Sequence, residues 1–166
     1  MKRIILALLF LPVFAQAGEW GLQVHIASRH FIARDYFQWN EGNPGIGIRY
    51  SFDRDWAVQA GRYLNSYSLP GYDAYTNYVA ADYTPWHHQA FSLGGYAGVG
   101  SGYDEPMFYA PNGQPQVVNG KPVIQRFNER PLIAAAGLIG RWDYGKFNIT
   151  VRINPAMTAI ETGFKF

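Results

Sequence analysis

Two short groups of polar side chains in this sequence have the residue types needed for acyl transfer. One is His30 and the other is the pair Asn65-Ser66. An imidazole can take the proton of a serine hydroxyl, and a nearby amide can orient that hydroxyl or stabilise an oxyanion. Each group also has a structural interpretation, since Asn and Ser favour turns and a histidine is an ordinary loop residue. The groups therefore predict a site only where the fold brings them together.

The remaining motifs point to neither a metal nor a cofactor. His87 and His88 follow Pro85-Trp86 in a predicted short turn, and no carboxylate or cysteine stands nearby at ligand spacing. The glycine-rich segment 94–102 lacks the Lys-Ser/Thr ending and the following helix of a phosphate-binding loop. We therefore predict a protein without a metal ion or a cofactor.

The elements that must position these groups are β-strands. Apolar residues recur at every second position, as in the segments 20–26 and 46–52, and no sustained helical stripe occurs. Eight such segments are predicted as strands. They begin near Trp20, Ile46, Trp56, Tyr75, Phe91, Leu132, Phe147 and Ile160.

The connections between these strands alternate between long and short, except at the last one. Tight turns on one side and longer loops on the other are typical of bacterial outer-membrane barrels. We therefore predict an all-β fold, an eight-stranded antiparallel up-and-down transmembrane barrel, rather than a soluble periplasmic β-sandwich. The longest loop, at about 101–130, is expected outside the barrel, with short arms around Met107–Ala110 and Gln116–Val118 that could form a hairpin.

Aromatic residues near the ends of the predicted strands agree with a membrane barrel, because interfacial girdles lie there. They include Trp20, Trp56, Tyr83, Trp86, Trp142 and Phe166. The last strand closes on Phe164 and Phe166, which resembles the signal read by the barrel assembly machinery. That machinery is therefore a predicted partner of the C-terminal strand.

The N-terminus predicts export. Lys2 and Arg3 precede the apolar run 4–14, and Ala15-Gln16-Ala17 has the form of a cleavage site, so residues 1–17 are predicted as a signal peptide and 18–166 as the barrel. The full chain has 166 residues, 14 Lys+Arg and 12 Asp+Glu, and removing the signal leaves a neutral chain. A neutral chain argues against a nucleic-acid partner, and the absence of cysteine excludes disulfides and thiolate sites.

In this topology His30 and Asn65-Ser66 fall at the same external rim, at the outer ends of the first and third strands. His25 faces the lumen about halfway across the first strand. We predict His30, Asn65 and Ser66 as catalytic residues.

Three segments in this order resemble the bacterial lipid A palmitoyltransferases, which are eight-stranded outer-membrane barrels. They are Trp39–Gly47, Asn65-Ser66-Tyr67, and a C-terminal pair made of Arg130–Ala136 and Ile153-Asn154-Pro155. The resemblance implies that Ser66 and a rim histidine are catalytic, that the barrel holds an acyl chain, and that Pro155 could open a lateral lipid entrance. It further implies phospholipid and lipid A as partners.

Counting back from Asn40 in this match favours His25 as the histidine, whereas the position at the strand end favours His30. We predict His30, with His25 as the alternative, because a mid-lumen His25 would be far from Ser66.

The sequence departs from that family at two points. Asn65 stands where the family has Asp, so a role that needs a carboxylate is lost. Only Gly18-Glu19 precede Trp20 in the predicted mature chain, which leaves no room for the family's amphipathic helix.

Two functions are therefore predicted for an outer-membrane protein expected to be a monomer. The first is an acyltransferase that moves a fatty acyl chain from phospholipid to lipid A. The alternative is a non-enzymatic small barrel, for adhesion, exclusion or envelope stabilisation, whose external loops bind a partner. Arg49, Gln59 and Arg152 favour the alternative if they face inward, because a lumen filled with polar side chains leaves no space for an acyl chain. A third interpretation, a soluble lipid carrier, requires apolar residues inside and polar ones outside.

Overall fold

The two-residue alternation forms strands throughout the part of the chain that the structure, a computed structural model, describes. That part comprises residues 18–31, 40–66, 68, 73–102, 105–107, 117–118, 121–122, 125–128 and 132–166. The predicted signal peptide lies outside it. The strands in these residues are β1 (Glu19–His30), β2 (Gly45–Ser51), β3 (Trp56–Leu64), β4 (Tyr75–His88), β5 (Phe91–Ser101), β6 (Glu105–Met107), β7 (Val117–Val118), β8 (Lys121–Pro122), β9 (Gln125–Asn128), β10 (Ile133–Tyr144), β11 (Phe147–Ile153) and β12 (Met157–Lys165).

Eight of these strands close into an antiparallel barrel, in the order β1, β12, β11, β10, β5, β4, β3, β2. The barrel closes where β1 pairs with β12, for example at Leu22 and Phe164. The predicted all-β, eight-stranded, up-and-down fold is confirmed, and the β-sandwich is excluded. Within the described residues there is no helix of the length and apolar character that a membrane-spanning helix needs.

The short turns lie together at one end of the barrel, which we call the turn end (residues 51–56, 88–91 and 143–147). Asp53 fixes the first of them, because its Oδ1 accepts hydrogen bonds from the backbone N–H groups of Asp55 at 2.8 Å and Trp56 at 2.7 Å. Gly145 has a φ of +60° in the last turn, a conformation that glycine adopts at little cost.

One predicted turn is in fact strand. Residues 84–88 continue β4, and the turn follows at 89–90. The pairing of β4 with β5 shifts between Tyr83 and Trp86. This irregularity accommodates Pro85, which has no N–H to donate to a neighbouring strand. His87 and His88 are consequently strand residues.

The long loop forms two small sheets, although not with the predicted pairing. The arm around Met107 pairs with a later segment, so that Met107 lies opposite Gln125. Val117 and Val118 instead pair with Lys121–Pro122. Ala110 and Gln116, the far ends of the predicted arms, lie outside the described residues.

The outer face of the barrel is apolar. Large aliphatic side chains that point away from the lumen are exposed on seven of the barrel strands, as at Leu22, Val24, Ile26, Ile46, Ile48, Val79, Leu93, Val99, Leu138, Ile149 and Ile160. Many of the exposed aromatic side chains lie near the turn end, where Trp56 stacks on Tyr83 with ring centroids 4.5 Å apart. This is the girdle expected at one membrane interface.

The lumen is polar. Arg49, Gln59 and Arg152 face inward and are 5%, 3% and 6% exposed, which confirms the orientation predicted for them. Polar residues inside and apolar residues outside are the reverse of a soluble lipid carrier, so that interpretation is wrong. The distribution is that of a barrel whose surroundings are lipid.

Candidate functional site

The predicted site residues lie at the end of the barrel opposite the turns, which we call the loop end (residues 28–31, 40–44, 64–66, 68 and 154–157). His30 is the last residue of β1, and Ser66 follows β3 by two residues. The exposed residues of β1 change from Ile26 to Arg29 just before His30. The apolar outer surface of β1 therefore ends before the charged residue Arg29, and His30 lies beyond the membrane-spanning part of the barrel.

Ser66 and His30 are in direct contact. The distance between Ser66 Oγ and His30 Nε2 is 3.1 Å, and Ser66 is 1% exposed. A neutral imidazole at this distance can accept the serine proton. The structure thus joins the two groups that the sequence placed at one rim, while their catalytic role stays a prediction.

The segment that follows the first long loop positions this pair. The backbone N–H of Asn40 donates to the Ser66 carbonyl at 3.0 Å, and the N–H of Ser28 donates to the Glu41 carbonyl at 2.9 Å. These bonds connect the end of β1 to the end of β3 across the rim. The contact between His30 and Ser66 therefore depends on residues 40–44.

Asn43 belongs to this segment, and its sequence context did not predict a role at the site. It is 4% exposed, and its Nδ2 donates to the carbonyls of Leu64 at 3.0 Å and Asn40 at 3.2 Å. Its Oδ1 accepts a hydrogen bond from the Ser28 hydroxyl. In the sequence Asn43 stands in a Gly-Asn-Pro-Gly run, which by itself indicates only a turn.

The amide nitrogen of Asn65 is hydrogen-bonded to residues outside the pair. This atom, Nδ2, donates to Thr76 Oγ1 at 3.3 Å and to the Gly102 carbonyl at 2.9 Å, which joins the end of β3 to β4 and to the residue after β5. Both amide hydrogens are engaged there. These contacts join strands at the loop end, and the catalytic role of Asn65 stays a prediction.

Burial lowers the pKa of His30 from its ordinary value, and the nearby Glu41 carboxylate opposes that shift. Loss of hydration disfavours the imidazolium, whereas a negative charge stabilises it. The net direction is downward, so His30 is neutral at neutral pH. A neutral ring is the form that can accept a proton from Ser66.

His25, the alternative histidine, lies in the lumen as predicted. Its Nδ1 is 3.5 Å from Glu161 Oε1, and its ring packs against Tyr63 and Tyr78 with centroids 4.9 and 5.0 Å away. The histidine in contact with Ser66 is His30.

Ser66 lines a cavity of about 90 Å³ in the loop half of the lumen. Its walls are formed largely by small or apolar side chains, among them Ala80, Ala135, Met157 and Ala159. Gly47 and Gly45 leave no open space beside the neighbouring tyrosines. A Cβ on Gly47 would lie 2.6 Å from the Tyr78 hydroxyl, and one on Gly45 would meet the backbone and Cβ of Tyr63.

A group of four buried charges closes the lumen below this cavity. We call Arg49, Asp82, Arg152 and Glu161 the lumen charge network. Arg152 donates to Asp82 at 2.6 and 3.1 Å and to Glu161 at 3.0 Å, and Arg49 also donates to Asp82. A second cavity of about 440 Å³, lined in part by Arg49 and Arg141, opens at the turn end.

His87 and His88 lie near the turn end, away from the Ser66–His30 pair. His87 Nε2 lies 2.9 Å from Asp55 Oδ1, a carboxylate that is close in space but distant in sequence. In the described part of the chain, no group of three or more His, Cys, Asp or Glu side chains could hold a metal ion.

Comparisons with known proteins identify similar barrels but no family. No family model and no curated protein matches the chain. The backbone structure of the Yersinia pestis outer membrane protein Ail in a phospholipid nanodisc is 16% identical, with a TM-score of 0.43, and the match covers 90% of this chain and 99% of that one. The crystal structure of Ail, the attachment invasion locus protein of Yersinia pestis, is 11% identical, with a TM-score of 0.36 and coverages of 90% and 97%. At these identities the likeness concerns the barrel fold alone.

Proposed function

We propose that this chain is an outer-membrane barrel whose loop end faces outward and carries an acyl-transfer site. The site would move a fatty acyl chain from a phospholipid to lipid A. The observation that supports this function is the 3.1 Å contact between Ser66 Oγ and His30 Nε2, at a residue that lines the mouth of an apolar-walled cavity. Glu41 lies close enough to affect the charge of His30.

In the proposed reaction Ser66 Oγ attacks the carbonyl carbon of the phospholipid ester, and its proton passes to His30 Nε2. The imidazolium then protonates the oxygen of the departing lysophospholipid, which leaves the acyl group as an ester on Ser66. A hydroxyl of lipid A attacks that ester while His30 accepts its proton. His30 returns the proton to Ser66 Oγ, and both residues regain their starting state.

The outer-membrane location is supported by three features together. The exterior of the barrel is apolar, the aromatic side chains form a girdle near the turn end, and residues 1–17 have the pattern of a signal peptide. The short turns would then face the periplasm and the loop end would face outward, as in bacterial barrels generally.

Mass spectrometry of lipid A tests the acyl transfer. Gram-negative cells that express the wild type should carry lipid A with one additional acyl chain, and this species should disappear with Ser66→Ala and with His30→Gln. Ser92→Ala is a matched control, because Ser92 is also a buried serine of the lumen but lies near the turn end. Lipid A that is identical in cells with and without the barrel would contradict the proposal.

A second function, that of a non-enzymatic barrel, is favoured by the small free volume of the lumen. The cavity of about 90 Å³ is well below the ~300–1,000 Å³ usual for ligand sites, and the lumen charge network closes it from below. Attachment and invasion are named for the similar Yersinia barrel, and a comparable role here would act through external loops. Under this function lipid A stays unchanged, while deletion of the barrel alters adhesion or the sensitivity of cells to detergents.

A further inference from the structure

The floor of the cavity beneath Ser66 contains several polar atoms without a hydrogen-bond partner. Among the described residues, Gln59 Oε1, Tyr78 OH, Glu161 Oε2 and His25 Nε2 are buried and unpaired. All four residues line this one cavity. Gln59 and Glu161 are 3% and 0% exposed. Buried polar atoms are rarely left unsatisfied, so such a concentration indicates a missing polar partner.

The backbone of three adjacent strands sets the position of the Tyr78 hydroxyl. Gly47, Gly61 and Tyr78 are register partners across β2, β3 and β4. A Cβ on Gly47 would lie 2.6 Å from the Tyr78 hydroxyl, and one on Gly61 would lie 2.9 Å from its ring. The tyrosine ring thus packs over two glycines, and its hydroxyl lies at the floor of the cavity.

The unpaired atoms are mostly hydrogen-bond acceptors. Glu161 Oε2 and Gln59 Oε1 can only accept, and the Tyr78 hydroxyl can both donate and accept. With the His25 proton on Nδ1, which faces Glu161 at 3.5 Å, Nε2 is an acceptor as well. The floor therefore suits a ligand group that carries an O–H or an N–H.

The balanced charges of the lumen favour an uncharged ligand group. In the lumen charge network, Arg49 and Arg152 balance Asp82 and Glu161. An ammonium or a carboxylate placed on the floor would add an uncompensated charge in a buried setting, which is strongly disfavoured. A hydroxyl supplies a donor and an acceptor without that charge.

The apolar residues that line the cavity favour an organic ligand over water alone. Ala80, Ala135, Met157 and Ala159 line the same cavity as the unpaired polar atoms. Buried water needs two to four polar partners, which the unpaired atoms offer and these four side chains do not. An aliphatic chain with a hydroxyl at its inner end matches both parts of the cavity. At about 90 Å³, against ~150 Å³ for a cavity that binds benzene, there is room for a short chain only.

We infer that this cavity binds a short, neutral aliphatic chain whose hydroxyl group reaches the floor at Gln59, Tyr78 and Glu161. The ligand enters from the loop end, past Ser66. Its binding does not require the proposed acyl transfer, because no bond is formed or broken. Failure of one proposal therefore leaves the other to its own test.

Methyl NMR of the barrel in phospholipid nanodiscs tests this inference with 1-butanol as the probe. 1-Chlorobutane serves as the comparison, since it has the same chain and an apolar end. The methyl signals of Ala80, Ala135 and Met157 should shift saturably with 1-butanol, with intermolecular NOEs to its chain. Because one well-placed hydrogen bond changes affinity by roughly three- to tenfold, we expect 1-butanol to bind at least that much more tightly.

Two tyrosine variants make the test specific. Tyr78→Phe removes one floor hydroxyl and should weaken 1-butanol binding roughly three- to tenfold, with no loss for 1-chlorobutane. Tyr83→Phe removes an outward hydroxyl from the same strand and should change neither. The affinity of each probe is calculated from its free concentration, corrected for its own partitioning into the nanodisc lipid. Equal affinity for the two probes, no effect of Tyr78→Phe, or NOEs to bound water only would each overturn the inference.

Discussion

At the scale of single residues, the contact between Ser66 and His30 joins positions 36 apart in the chain. The hydroxyl is almost fully buried, and the imidazole is kept neutral by its own partial burial. Both properties favour proton transfer from serine to histidine over exchange with water.

The pH dependence of acyl transfer reports the state of His30. The rate should fall as the pH drops through the His30 pKa, because the protonated ring cannot accept a proton. Since burial lowers this pKa, half of the activity should remain at a pH below ~6.5, the value of an unperturbed histidine. A rate profile from pH 4 to 8 on the reconstituted barrel measures it.

Glu41→Gln provides the control for this profile. The Glu41 carboxylate raises the His30 pKa against the effect of burial, so its removal should move the acidic limb to lower pH. An acidic limb that moves to higher pH, or that stays in place, would contradict the electrostatic account of the pair.

The residue types of the site could be predicted from the sequence, but the contact between them could not. Alternation and loop lengths placed His30 and Ser66 at one rim. Their 3.1 Å separation depends on backbone bonds from Asn40 to Ser66 and from Ser28 to Glu41. Such bonds follow from the path of a loop, which carries no periodic signal. For the same reason the sequence did not indicate the hydrogen bonds of Asn43.

At the scale of elements, period-two alternation was sufficient to predict all eight barrel strands, because every strand has one apolar face and one lumen face. It failed at the end of β4, where Pro85 suggested a turn. There the strand continues through a register shift between Tyr83 and Trp86. A bulge removes the local alternation, so the sequence pattern cannot separate it from a turn.

The lumen charge network ties together strands that are not neighbours. Asp82 on β4 accepts hydrogen bonds from Arg49 on β2 and Arg152 on β11. Asp82→Asn should lower the free energy of unfolding by about 3 kcal/mol or more, because two buried guanidinium groups lose their shared carboxylate. Urea unfolding in lipid vesicles, followed by tryptophan fluorescence, measures this change.

Asp55→Asn is the matched variant for that experiment. Asp55 Oδ1 also lies 2.9 Å from a polar partner, His87 Nε2, but the Asp55 side chain is 42% exposed. We expect a loss of less than about 1 kcal/mol. Equal effects of the two substitutions would mean that the lumen charge network does not join the strands as described.

At the scale of the whole molecule, the barrel has polar residues in its lumen and apolar residues on its outer face, which indicates a lipid environment. Ile48 lies near the middle of β2 and is 52% exposed on the outer face. Ile48→Arg should destabilise the barrel in a bilayer by about 2–4 kcal/mol, whereas Tyr144→Arg, at the turn end, should cost less than about 1 kcal/mol. Urea unfolding in vesicles compares them, and no difference between the two positions would contradict a bilayer around β2.

Acyl transfer by the purified barrel shows directly whether Ser66 and His30 form a catalytic pair. The protein is reconstituted with a phospholipid that carries a labelled acyl chain and with lipid A, and both products are quantified. We expect labelled lipid A and lysophospholipid in equal amounts, abolished by Ser66→Ala and His30→Gln and retained by Ser92→Ala. Lysophospholipid and labelled lipid A at the level of the Ser66→Ala sample would contradict it.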